Sequence, residues 1–124
     1  MTTSVFDPLV EVEVLEQLEF RELAGFNEGA VGVFWADAGA TGPWEMHPDC
    51  EEFLMVLEGE VEVEILPEDG GPAEVRRLRA GAATVVPRRC WHRHTILKRT
   101  KELYLTPGAT ENSDAEDPRS NADE

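Results

Sequence analysis

The run Val61-Glu62-Val63-Glu64-Ile65 restricts this chain more than any other short stretch. Its alternation has period two, so a strand here turns Val61, Val63 and Ile65 to one face and Glu60, Glu62 and Glu64 to the other. A slip of one residue would bury the glutamates, so the strand belongs in one register of a sheet with a single dry face. Val10-Glu-Val-Glu-Val14 has the same pattern and predicts another half-exposed strand. Further strands are expected near 18–23, 31–36, 43–47, 52–58, 74–79, 82–86, 91–96 and 101–106. Turn chemistry separates them at Gly39 to Pro43, Glu58-Gly59, Pro67 to Pro72, Ala80-Gly81 and Pro107-Gly108. No segment carries a convincing helical period. Many short strands at regular spacing mean an all-β sandwich or barrel.

A chain of 124 residues makes one domain with a core of its own. The net charge of −15 argues against nucleic acid as a partner, because phosphate contacts need a basic surface. That charge is unevenly placed. Nine of the eleven basic residues lie between Arg76 and Lys101, whereas Arg21 stands alone among the acids of residues 7–69. Residues 109–124 have no large apolar side chain and are rich in Asp, Glu, Asn and Ser, which predicts a disordered acidic tail after a folded unit of residues 1–108. The longest apolar run, Phe53 to Leu57, is too short to span a bilayer. The opening MTTSVFDPLV shows neither the basic nor the apolar region of a secretory signal, so the expected compartment is the cytoplasm. Cys50 and Cys90 are then expected as thiols.

Two stretches carry candidate chemistry, and together they hold all three histidines: WEMHPDCEEFLMVLEGE at 44–60 and GAATVVPRRCWHRH at 81–94. In the first, Glu45, His47 and Glu52 are followed by Gly59 after six intervening residues. In the second, Gly81 precedes Pro87 by five intervening residues, and His92 stands five positions further on. This pair of motifs resembles the cupin barrel, over roughly residues 30 to 107. The resemblance implies a double-stranded β-helix, a jelly-roll barrel of two antiparallel sheets around one polar cavity. It also implies a divalent metal ion (Fe, Mn, Ni or Zn) held by Glu45, His47, Glu52 and His92. Period two suits that role, since Glu45 and His47 share a face of one strand and His92 and His94 a face of another. If the strands at 43–47 and 91–96 face each other across the barrel, the four ligands converge inside it.

The sequence departs from the family pattern at three places. Glu45 replaces the usual first histidine, Arg89 replaces a usual glycine, and Ile96 replaces a usual asparagine. The glycine replacement implies a different turn, or an Arg89 in the conformation glycine normally occupies. Some cupins without the full ligand set bind no metal and use the barrel only as a pocket. His94 lies outside the motif, as a pocket-lining residue or one that supports a ligand from outside, or as a fifth metal ligand or an acid/base group. Arg88 and Arg89 precede the second histidine strand, and a guanidinium pair at the barrel mouth would suit a carboxylate or phosphate. The expected ligand-binding residues are therefore Arg88, Arg89 and His94.

A fold does not choose a reaction, and this one hosts dioxygenases, isomerases, lyases, sugar-binding regulators and storage proteins. The expected function is binding or transformation of a small polar or anionic metabolite in the cavity, with or without metal; whether it is an enzyme stays open. A homodimer is expected, because a single barrel leaves sheet edges and an outer apolar face at Phe53, Met55 or Leu57.

Overall fold

The alternation at 61–65 is realised inside a strand much longer than five residues. In the computed structural model, which describes residues 5–121, β4 runs unbroken over Glu52–Leu66 and β7 over Trp91–Thr106. Residues 1–4, part of the stretch read for a signal, and residues 122–124 of the acidic tail lie outside the described residues. The other strands are β1 (Arg21–Phe26), β2 (Gly29–Ala36), β3 (Trp44–Met46), β5 (Glu74–Arg79), β6 (Ala83–Val86) and β8 (Glu111–Ser113). All pairings are antiparallel, in the order β1-β2-β7-β3-β8, with β4 bonded to β5, β6 and β7. Because β4 and β7 pass through both layers, the jelly roll is hydrogen-bonded as one curled eight-stranded sheet.

Val61, Val63 and Ile65 face inward and are buried with Leu54, Val56, Leu78, Val86 and Ile96. Burying each such side chain stabilises the fold by about 1.5–3 kcal/mol. Glu62 and Glu64 are half-exposed, but Glu60 is buried. Glu60 sits beside the bend at Gly59, where Arg77 bonds its carboxylate and holds its pKa below the usual range, with Arg79 and Lys98 nearby. The basic strands thus pair with the acidic ones across the sheet, as also at Arg93–Glu64 and Lys101–Glu58.

The strand expected at 10–14 is instead a short helix, α1, over Pro8–Val12. Asp7 caps it by accepting from the Leu9 amide at 3.2 Å, and Pro8 fills the first turn. A strand would bury Val10, Val12 and Val14 together. Only Val12 is buried, at 1% exposure, while Val10 and Val14 are 63% and 72% exposed. Val12 and Leu15 cap the outer face of the sheet over Val33, Trp35, Leu57 and Leu103. Part of the apolar face expected to require a second subunit is therefore covered by the chain itself.

Glu58-Gly59 is a bend rather than the expected end of a strand: the β4–β7 register shifts between Val56 and Val61 and then resumes. The expected disordered tail is also corrected for its described part. Residues 111–113 form β8 against β3, and a 3-10 turn follows at Pro118–Asn121. Backbone pairing needs no large side chains, which is why composition did not reveal it. Arg119 fastens the segment by donating to the carbonyls of Pro67 at 2.9 Å and Gly71 at 2.8 Å. No helix among the described residues is long and apolar enough to cross a membrane.

Candidate metal centre and cavity

His92 and Glu45 are directly opposite one another in neighbouring strands, not across the barrel as expected. Glu52 opens β4, and His47 lies just past the end of β3, so three strands deliver the group. His92 Nε2 is 3.0 Å and His47 Nε2 is 3.2 Å from Glu52 Oε1. All three residues are buried, and one ligand atom from each lies within 4.8 Å of the others. Glu45 stands apart at the rim, half-exposed, with Oε1 3.9 Å from His92 Nε2.

The hydrogen bonds assign the His47 tautomer. Nδ1 is 3.2 Å from the Ala109 carbonyl oxygen and 3.1 Å from Thr110 Oγ1. A carbonyl only accepts, so Nδ1 carries a hydrogen and a neutral His47 has its lone pair on Nε2. That atom is buried without a hydrogen-bond partner and faces a carboxylate oxygen. Two lone pairs at such a distance are reconciled only by a cation between them, a proton or a metal ion. Burial pushes the His47 pKa down, but Glu52 and then the Ala109 carbonyl outweigh it and hold it above the usual imidazole range. Burial likewise pushes the Glu52 carboxyl up, while the His47 and His92 imidazoles beside it pull it well below the carboxylate range. Thr106 Oγ1 donates to the other Glu52 oxygen. Two imidazoles and an ionised, oriented carboxylate fit Fe, Mn, Ni or Zn.

His47, Glu52 and Glu45 line a cavity of about 730 Å³, together with residues of the barrel interior and of the 108–112 segment, and the fully buried His92 lies behind that lining. His94 lines the cavity and bonds Glu102 at 2.8 Å. Burial pushes the His94 pKa down, but the neighbouring Glu102 pulls it up to about 9, so His94 is an imidazolium at neutral pH. Glu102 is fully buried, and its Oε1 has no hydrogen-bond partner. Phe34 forms part of the cavity wall. Trp44 is buried outside it under the Arg93 guanidinium, 4.2 Å from its ring.

Arg88 and Arg89 are exposed and do not line the cavity. Arg89 pairs with Glu68 at 3.3 Å instead. It does adopt the conformation that glycine normally occupies, with φ of 64°. Arg89→Gly is therefore expected to raise stability by up to about 1 kcal/mol in urea unfolding, as relief of left-handed strain exceeds the added freedom of the unfolded chain. A loss would show that the Glu68 pair outweighs the strain. Cys50 and Cys90 are free, half-buried thiols, and burial raises the Cys50 pKa.

Sequence reasoning missed Glu102, Thr106 and Thr110. Glu102 and Thr106 were within reach, since the Glu102-Leu-Tyr-Leu-Thr106 alternation puts them on one face of a strand. Thr110 was not, because it belongs to a segment without any strand signal.

Residues 33–106 match the family described as the cupin domain. The chain belongs to the cupin family. No curated protein matches it in sequence. Among solved structures, a cupin-2 domain protein from Shewanella frigidimarina is 18% identical, with a TM-score of 0.66 over 88% of this chain and 95% of the other. A hydroquinone 1,2-dioxygenase solved with Cd2+ and 4-hydroxybenzonitrile is 19% identical, with a TM-score of 0.65 over 81% of this cupin and 70% of its own chain. At these identities the likeness is one of fold. An oxalate oxidase is 25% identical, with a TM-score of 0.58 over 65% of this cupin and 44% of its own chain, so this cupin spans less than half of that protein.

Proposed function

We propose that this cupin binds a divalent metal ion through His47, Glu52 and His92 and accepts a small molecule in the cavity above it. The observation that carries this is the buried, unpartnered His47 Nε2 held 3.2 Å from Glu52 Oε1. Glu45, at the rim, is an additional ligand within reach of a small side-chain movement. A bound ion of this class supplies Lewis acidity and open positions for a small molecule. The chain's own residues do the rest. Ala109 and Thr110 orient His47, Thr106 orients Glu52, and the His94–Glu102 pair holds a proton beside the cavity. The Cd2+ complex of the dioxygenase supports metal binding by this fold.

Elemental analysis of protein purified without added metal or a histidine tag is expected to give close to one metal per chain. His92→Ala is expected to abolish stoichiometric binding, whereas His94→Ala keeps the metal. Substoichiometric metal that is unchanged in His92→Ala would replace this reading with a metal-free binding barrel. In that barrel a proton, not a metal ion, would lie between His47 and Glu52.

A further inference from the structure

The cavity has an unbalanced electrical lining. Five glutamates face it, at positions 22, 28, 45, 52 and 102, and among the described residues no lysine or arginine does. Glu52 is engaged with His47 and His92, and Glu102 with His94. Glu22 and Glu28 are exposed at the mouth and have no ion-pair partner among the described residues. Deeper in, the fully buried Glu102 keeps Oε1 unpartnered. The field reaches the wall itself: burial first, then Glu22, Glu52 and Glu45, raise the pKa of Tyr104.

Between these carboxylates lies an aromatic surface. Phe20 stacks on Phe34 at 4.4 Å between centroids and approaches Tyr104 at 5.9 Å. Phe20 is 54% exposed although three aromatic rings meet there. An aromatic face attracts cations through its quadrupole, and a carboxylate does so through its charge. Both act against an anion.

We infer that the cavity selects an organic cation, an amine whose apolar body lies against Phe20, Phe34 and Tyr104 and whose charge meets Glu22 and Glu28. This rests on the reading of the cavity as the ligand site, but not on any particular reaction. It replaces the anionic ligand expected near Arg88 and Arg89.

The test is calorimetric titration of the full chain, as purified, with three probes of one shape: benzylammonium, benzyl alcohol and benzoate. Benzylammonium is expected to bind about tenfold more tightly than benzyl alcohol, and benzoate more weakly than both. The double variant Glu22→Gln, Glu28→Gln should lower cation affinity to that of the alcohol while leaving the alcohol unchanged. Glu16→Gln with Glu116→Gln removes the same charge from exposed positions outside the cavity and should leave the preference intact. Equal affinity for cation and alcohol, preference for benzoate, no cation binding, or the same loss in both double variants would overturn the inference. Phe20→Ala is expected to weaken the cation and the alcohol alike. Binding untouched by Phe20→Ala would place the probes elsewhere and remove the cavity reading itself.

Discussion

Gly59→Ala is expected to lower the melting temperature by about 10–20 °C. Gly59 has φ of +96°, and a methyl group there would lie 2.2 Å from the Arg99 carbonyl oxygen and 2.7 Å from Thr100 Cα. Left-handed strain costs about 1–2 kcal/mol for an alanine, and overpacking against backbone costs about 1–3 kcal/mol more. The clash also falls on a buried network, because Thr100 Oγ1 accepts from the Glu60 amide at 3.1 Å. Gly81→Ala is the internal comparison: its φ is +88°, but nothing lies within 4 Å of the added carbon. Thermal unfolding should show the Gly81 variant losing only the strain. Equal losses at both positions would mean that β4 and β7 can separate at the bend, contrary to the close approach described.

Removing residues 109–124 is expected to weaken metal binding by about 10–100-fold, the usual consequence of losing the hydrogen-bond partner of a ligating histidine. His47 Nδ1 would lose the Ala109 carbonyl and the Thr110 hydroxyl, and with them the tautomer that presents Nε2. Stability should fall too, by more than about 5 °C, since β8 and the Arg119 contacts go with the segment. Competition with a chelator measures the first effect and thermal unfolding the second. Arg119→Ala separates them: it removes the distal anchor and should cost stability while affecting metal affinity much less. An unchanged melting temperature on truncation would show that residues 109–121 contribute nothing to the fold.

What could be read from the sequence follows from which signals are local. Period two placed Val61, Val63 and Ile65 in the core and put Glu45 with His47, because a strand's faces are decided residue by residue. Motif spacing brought His47, Glu52 and His92 together on paper, and they meet in the fold. Period two misled at Val10 to Val14, where five alternating residues do not outweigh the Asp7-Pro8 start signal. Glu58-Gly59 carried turn chemistry, but a glycine with positive φ serves a bulge as readily as a turn. Arg88 and Arg89 are next to the ligand strand in sequence, yet loop direction, which no pattern encodes, turns them to solvent. The outer partners of His47 were hidden because they act through a backbone carbonyl and a hydroxyl in a segment judged by its side chains.

The central place of β7 has a consequence for how this protein comes to be folded during synthesis. β7 bonds to β2 and β3 on one side and to β4 on the other, so both flanking groups lack their common neighbour until residues 91–106 have left the ribosome. At about 5–20 residues per second, the earlier strands spend several seconds with open edges. Barrel closure is then a late, non-local event that joins segments distant in the chain, the kind of step that slows folding and exposes strand edges to other chains. The glutamates on β4 and the arginines on β5 place charge along strands that must wait, which discourages them from pairing with the wrong partner.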